Sequence, residues 1–390
     1  MKLRNQYTEL VEDYKIKNGI DPWVRYKEGS CSESEKKEIE DWLFNLLRSN
    51  GIPRNEVSEE AIIKDLINLS ETPVEEVFHD DAYWFNLNGN LTVKEFFFDK
   101  MNDVFKDGKP SINQQFNDDH QLMRVVRKSL TYSNNEMSLF NWLQINGSGY
   151  GNSFRPATAK AIVELYGGKG CKVIDSSAGY SARMLGAWSA GASEYVACDP
   201  NTYEGCRELS DFLDSRFGLS TKKTVLGIGS EDFPVEDYRE YFDLYLCSPP
   251  YWSTEKYSKD ESQSWVKFKS YEDWIKGFYR QTIYNMCDCL KKDGVFVLNI
   301  FEKILNIKKI TSLFLADCGW YITKNQKYML RTIPGSNHQF DEDGNPIERD
   351  RTIGTNYEAV WVAYHYTRLL KEGLITEEQA KQFKERVTHK

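Results

Sequence analysis

Val173-Ile174-Asp175-Ser176-Ser177-Ala178-Gly179-Tyr180-Ser181 runs directly into Ala182-Arg183-Met184-Leu185-Gly186-Ala187, and this passage decides the fold. It reads as a strand ending in an acid, a turn of small residues and a helix. Small residues let a ligand approach the backbone, and an acid at a strand end can hold a cationic or hydroxyl-bearing group. Glu194-Tyr195-Val196-Ala197-Cys198-Asp199 reads as a second strand ending in an acid. Its spacing is that at which nucleotide-binding α/β folds set a carboxylate against a ribose. A third strand, residues 224–228, leads into Gly229-Ser230-Glu231-Asp232. Three successive strands with acidic or glycine-bearing turns predict a ligand crevice along one sheet edge.

Further on, the apolar run 241–247 predicts a buried strand that ends in Ser248-Pro249-Pro250-Tyr251. Proline fixes φ near about −65° and lacks an N–H, so two in succession make a stiff corner with carbonyl oxygens free to accept hydrogen bonds. Ser248 adds an acceptor and Tyr251 a flat ring. That combination suits a planar base with an exocyclic amine, as adenine or cytosine presents outside the helical stack. Strands alternate with helices through this half of the chain, which favours a mostly parallel sheet with helices on both faces.

With these residues in place, the chain resembles the S-adenosylmethionine-dependent DNA amino-methyltransferases of phage and bacterial type, which modify cytosine N4 or adenine N6. The likeness runs over residues 146–366 and implies a Rossmann-like methyltransferase sheet in an α/β fold. It implies S-adenosylmethionine as cofactor, with Asp175 near the methionine amino group, Asp199 and Pro200 at the ribose, and Glu231 or Asp232 near the adenine. Ser177, Ala178 and Gly179 form the close-approach turn. Residues 152–158, with Phe154, Arg155 and Thr158, resemble the element that closes over the methionine part. Residues 257–265, the helix from Tyr271 and the strand 294–300 resemble the same region of those enzymes. One position departs: the family usually has glycine where this chain has Ser181, which leaves the backbone less free to approach a cofactor.

The resemblance implies a mechanism of positioning. Ser248 and the Pro249 carbonyl accept hydrogen bonds from the amine, Pro250 stiffens the corner, and Tyr251 stacks on the extruded base. A cytosine-C5 methylase needs a thiolate paired with proline, and Cys247 lies on the strand side of the serine, so that chemistry is rejected. Serine as the first residue of the corner favours cytosine N4; the alternative is adenine N6. RNA or protein glutamine methylation uses related tetrapeptides that usually begin with aspartate or asparagine. From another class, a non-catalytic nucleic-acid-binding or inhibitor module on the same fold is motivated by Ser181 and the acidic amino-terminal part. DNA is the partner implied, with room for a partner endonuclease.

A length of 390 residues predicts more than one domain. Residues 1–145 are expected to form a mainly helical accessory or target-recognition domain, 146–366 the methyltransferase domain, and 367–390 a terminal helix. Ser32 and Glu35 make a capping-box pair before a stripe of Ile39, Trp42, Leu43, Leu46 and Leu47, and a second helix is expected over 59–69. Residues 327–332 and 357–364 read as two antiparallel strands flanking a polar loop, 334–355, whose Arg349 and Arg351 could reach a phosphate. No apolar stretch is long enough to span a bilayer and no signal segment is visible, so no membrane association and a cytoplasmic location are expected. The eight cysteines are scattered and only five histidines occur, so no metal is expected. The net charge of −9 argues against uniform nucleic-acid coating. Lys256, Lys259, Lys267, Lys269, Lys308, Lys309, Lys324 and Lys327 nevertheless gather in the catalytic half as a candidate phosphate-contacting rim.

Overall fold

The computed structural model describes residues 5–105, 109–147, 151–252, 256–300, 306–330 and 357–389. The chain divides into two compact units, and the division is discontinuous. Residues 1–63, 97–152 and 253–259 form one, and 64–96, 153–252 and 260–390 form the other. The sequence sets expected boundaries near residues 145 and 366, whereas residues 64–96 fall in the second unit and 367–390 are continuous with it. Arg349, Arg351 and the expected loop around them lie outside the described residues.

The first unit is helical. Helix α1 (Glu33–Asn50) starts at Ser32, whose side chain accepts from the Glu35 N–H while Glu35 accepts from the Ser32 N–H, as the capping-box spacing requires. Its Ile39, Leu43 and Leu47 are buried at helical spacing against Val125, Val126 and Leu130 of α2 (Asp119–Tyr132) and against Tyr7 and Trp23. Trp23 also donates from Nε1 to Ser129 Oγ at 3.1 Å, so the polar end of the buried indole is satisfied. The expected second helix is Glu59–Glu71.

The second unit is built on one sheet. Its strands are β1 (Phe78–His79), β2 (Ala82–Tyr83), β3 (Lys172–Asp175), β4 (Glu194–Cys198), β5 (Lys222–Leu226), β6 (Phe242–Cys247), β7 (Leu290–Ile300), β8 (Trp320–Met329) and β9 (Tyr357–His365). Their spatial order is β1-β2-β8-β9-β7-β6-β3-β4-β5. Strands β3 to β7 are mutually parallel, while β9 is antiparallel to both neighbours, β7 and β8. This is the doubly wound, Rossmann-like arrangement. From β3 the chain winds outward through β4 and β5, then returns to β6 and winds the other way, so strand order reverses between β3 and β6. At such a switch point a crevice opens beyond the carboxyl ends of the strands. Strand β8 begins seven residues before the expected 327 and ends at Met329; Lys324 and Asn325 pair across to Val362 and Trp361 despite their polarity.

Central strands read as continuous apolar runs because both faces are covered. Val173, Ile174, Val196, Leu244, Tyr245 and Leu246 are each at most 1% exposed. One face packs Ile174, Tyr245 and Phe296 against Ile283 and Met286 of the helix Arg280–Cys289. On another side of the unit, helices α3 (Pro156–Ile162) and α4 (Ala182–Ser189) approach so closely that a Cβ at Gly186 would lie 2.3 Å from Ala159 Cβ, so only glycine fits. The terminal helix Glu377–Glu385 carries the expected Thr376/Gln379 capping box. Among the described residues no helix is long and apolar enough to cross a membrane.

Candidate active site

Asp175, the last residue of β3, is fully buried and its carboxylate is engaged within the protein. Oδ2 accepts from Arg183 Nε and Tyr195 Oη, both at 2.7 Å, and Oδ1 accepts from the Ser177 N–H at 3.0 Å. Arg183 also donates to the Ser177 carbonyl. Asp175 braces the turn from behind through a buried ion pair with Arg183, beside the amino-group contact expected of it. Ser177 and Gly179 stay partly open on the turn, whereas Ala178 is buried and donates its N–H to the Cys198 carbonyl at 2.9 Å. Gly179 has φ +55° and Ser181 φ +60°, both left-handed. For glycine this is free, but for serine it costs about 1–2 kcal/mol. The glycine usual at that place in the resembling family thus has a backbone reason.

Asp199 is placed differently. It follows β4 directly, is only half-buried, and its Oδ2 accepts from the Gly179 N–H at 2.9 Å. Its Oδ1 accepts from the N–H groups of Asn201 and Thr202 at 3.0 and 2.9 Å. Burial raises its pKa, and the three backbone donors oppose that rise. The Thr202 side chain also favours the charged form, and Asp199 is half-buried at the turn. Pro200, beside it, is also half-buried.

Arg155 and Thr158 lie at the start of α3 and are 4% and 0% exposed. The Arg155 guanidinium lies over the Tyr328 ring, its Cζ 3.9 Å from the centroid, with the Phe85 ring at 5.4 Å. Nε, Nη1 and Nη2 are all buried without a hydrogen-bond partner among the described residues, and so is Thr158 Oγ1. A buried cation with unmatched donors is costly, and an anionic group would satisfy it. Burial pushes the Tyr328 hydroxyl pKa up, with the Arg155 cation partly countering. Phe154 stacks on the same tyrosine at 5.0 Å and stands 5.5 Å from the Arg183 guanidinium carbon.

Across the switch point, β6 ends in the proline corner. Ile174 pairs with Tyr245, and the Ser176 hydroxyl lies 2.9 Å from Tyr245 Oη and donates to Cys247 Sγ at 3.1 Å, so turn and corner are tied together. Burial pushes the Cys247 thiol up to about 12, which makes it a poor source of thiolate. Pro249 is buried; Ser248 and Pro250 are half-buried. Tyr251 is 8% exposed and sits in the aromatic core with Trp274 and Tyr279. Its hydroxyl donates to the Asn299 carbonyl at 3.2 Å and lies 3.2 Å from Ser248 Oγ. Its burial leaves little ring face for a base, contrary to the stacking role expected from the sequence.

Glu231 and Asp232 form the turn after β5, held by Asn285 Nδ2, which donates to the carbonyls of Ser230 and Glu231. Lys267 Nζ bridges Glu231 Oε1 at 2.7 Å and Asp232 Oδ2 at 3.1 Å. Glu231 Oε2 is buried and has no partner among the described residues. Lys267, expected on a phosphate rim, is thus neutralised by two carboxylates. Lys324 and Lys327 lie over the rings of Tyr166 and Tyr357. Among the described residues, no group of three or more His, Cys, Asp or Glu is placed to hold a metal ion.

No protein-family model matches the chain, and no curated protein sequence matches it. Solved structures do. TrmN from Thermus thermophilus is 15% identical with a TM-score of 0.34, over 55% of this chain and 50% of that one. A 1,6-didemethyltoxoflavin-N1-methyltransferase from Burkholderia thailandensis, with S-adenosylhomocysteine bound, is 14% identical with a TM-score of 0.34, over 54% and 77%. A SAM-dependent O-methyltransferase from Thermotoga maritima is 14% identical with a TM-score of 0.33, over 54% and 64%. At such low likeness the activity has to be argued from this chain's own residues.

The sequence alone did not reveal the partners Arg183, Tyr195, Asn299 and Tyr328 that decide these roles, and it offered Lys267 for a phosphate, where it pairs with Glu231 and Asp232. Arg183 left a signal, as the lone charge in Ala182-Arg183-Met184-Leu185-Gly186-Ala187-Trp188, where a helix buried on most sides needs a counter-ion for any cation it carries. The others sit on distant strands and helices and have no local signature.

Proposed function

We propose that this chain is an S-adenosylmethionine-dependent methyltransferase acting on the exocyclic amine of a base in DNA, with cytosine N4 as the favoured acceptor. The observation that carries the reading is the meeting, at the β3–β6 switch point, of two rigid elements: the small-residue turn pinned by Asp199 and the acceptor corner Ser248-Pro249-Pro250. Bound S-adenosylmethionine would supply an electrophilic methyl group on a sulfonium. The residues present fit that cofactor. Asp199 is a half-buried carboxylate at the turn for ribose hydroxyls, Glu231 Oε2 is an unmatched acceptor for an adenine amine, and Arg155 with Thr158 are unmatched donors for the carboxylate of the amino-acid part.

The protein's own task is orientation. Tyr251 has one hydroxyl proton, and the Asn299 carbonyl can only accept it. With that proton directed to the Asn299 carbonyl, Ser248 is the donor at their 3.2 Å contact, and its own oxygen can accept from the amine. Tyr251 acts here through its hydroxyl, as a positioning residue that fixes Ser248 as an acceptor. Serine at the head of the corner is the ground for preferring cytosine; adenine N6 presents the same amine.

Mass spectrometry of nucleosides from DNA of cells expressing the chain tests the reading, alongside calorimetric titration with S-adenosylmethionine. N4-methylcytosine is expected, and N6-methyladenine would move the acceptor to adenine. Cofactor binding with neither product would favour the non-catalytic module, to which the strained Ser181 lends some support. No cofactor binding would sink the reading.

A further inference from the structure

The ring that meets the substrate base follows from which aromatic side chains at the corner are open. Tyr251, Trp252, Tyr271, Trp274, Tyr279, Ile300 and Ile307 line one narrow space of ≈ 10 Å³. That is room for about one water and far too little for a base. Tyr251, Trp274, Tyr279, Ile300 and Ile307 are each at most 8% exposed, so a base cannot reach their faces without taking the core apart. Trp252 and Tyr271 are half-buried. Tyr271 is stacked on Trp274 at 6.1 Å and 17°. Trp252 meets Tyr271 only obliquely, at 5.6 Å and 58°.

Trp252 is also held in an unusual backbone state. Its φ is +46°, left-handed, a region that bulky residues with a Cβ seldom enter and that is retained where the surroundings impose it. The turn directly after two prolines sends consecutive rings to different places: Tyr251 is buried, and Trp252, four residues after Ser248 in the chain, is left partly open.

Resting on the function proposed above, we infer that Trp252, and not Tyr251, supplies the aromatic face on which the substrate base stacks while Ser248 accepts from its amine. The indole face is indifferent to base identity, so it holds the base and leaves discrimination to the acceptors.

The test uses the full chain carrying Trp252→Gly, Trp252→Phe or Tyr251→Phe, with labelled S-adenosylmethionine and unmethylated bacterial genomic DNA. Glycine adopts the left-handed state freely, so Trp252→Gly removes the ring without forcing the backbone. Calorimetric affinity for S-adenosylmethionine is expected to stay within about two-fold of the parent, the two-fold margin being small beside a stacking effect. Its kcat/KM for DNA is expected to fall on the order of 5- to 150-fold, the loss of one base–aromatic stack. Trp252→Phe should recover most of that loss, whereas Trp252→Leu, which fills space without a ring, should not. Parent-like kcat/KM in Trp252→Gly, or a Trp252→Phe chain as impaired as the glycine variant, overturns the assignment. An unfolded glycine variant shifts the decision to Trp252→Leu, which fills the space without a ring and must also lose activity. If the parent chain binds cofactor but methylates no DNA, the underlying function fails and this assignment with it; an active parent with an active glycine variant refutes Trp252 alone.

Discussion

Arg155→Met should act in opposite directions on stability and on ligand affinity. The guanidinium has five N–H donors, and its three nitrogens are buried without partners among the described residues. Leaving a buried polar group unmatched costs about 1–3 kcal/mol, and more for a charge. The stack on Tyr328 at 3.9 Å, with the Phe85 ring at 5.4 Å, offsets about 2 kcal/mol of that. Methionine has a stem of similar reach and lies well against aromatic rings. Without added cofactor the variant should therefore be as stable as the parent, or more stable by up to about 1 kcal/mol. Breaking an ordinary buried ion pair would instead lose about 3–5 kcal/mol. With cofactor the sign reverses, because a charge-assisted contact to a carboxylate contributes about 1.5–3 kcal/mol. Affinity for S-adenosylmethionine should fall about 10- to 150-fold. Thermal midpoints with and without S-adenosylmethionine, together with calorimetric titration, measure both effects. A midpoint several degrees lower without cofactor, combined with unchanged affinity, would show that Arg155 is a structural residue.

Asp175→Asn should cost about 3–5 kcal/mol of stability by leaving Arg183 buried without its anion, read as an earlier urea midpoint; a chain of parental stability would contradict the bracing role. Ser181→Gly should raise stability by about 1 kcal/mol and the thermal midpoint by about 2–4 °C, since glycine adopts φ +60° without strain; a lower midpoint would point to contacts of the serine that matter more. Tyr251→Phe should lower kcat about 10-fold and leave cofactor affinity unchanged, because the lost hydroxyl bond of about 1–1.5 kcal/mol is what keeps Ser248 an acceptor. Unaltered turnover would return Tyr251 to the role of a ring alone. Asp199→Asn should weaken cofactor binding and cost about 1–3 kcal/mol, since an amide Nδ2 facing the Gly179 N–H cannot accept it.

The parts of the fold legible in the sequence were those with local causes. Residues 173–187 announced strand, turn and helix because buried parallel strands are uniformly apolar and the turn needs small residues. Ser32 with Glu35 and Thr376 with Gln379 marked helix starts because a capping box is a short-range hydrogen-bond pair. The two-residue strands β1 and β2 carried no such pattern; each is too short for alternation, and their place depends on β8. The surroundings of Asp175 and Tyr251 were hidden for the same reason. Which face of a carboxylate or a ring remains open is set by Arg183, Tyr195 and Asn299, residues that local pattern does not connect to them.

The interleaving of the two units along the chain has a consequence for how the molecule is made. The chain passes from one unit to the other after residues 63, 96, 152, 252 and 259, so no single cut releases either unit whole, and separately expressed halves should each lack pieces of their own core. Ala82 of β2 pairs with Lys327 of β8. At about 5–20 residues per second, the hairpin that contains β2 would wait roughly 12–50 s on the ribosome before its partner emerged. Through that interval its unpaired strand edge would be exposed to other chains. Yield of folded protein should therefore depend on translation speed and on holding chaperones more than the stability of the finished sheet would suggest.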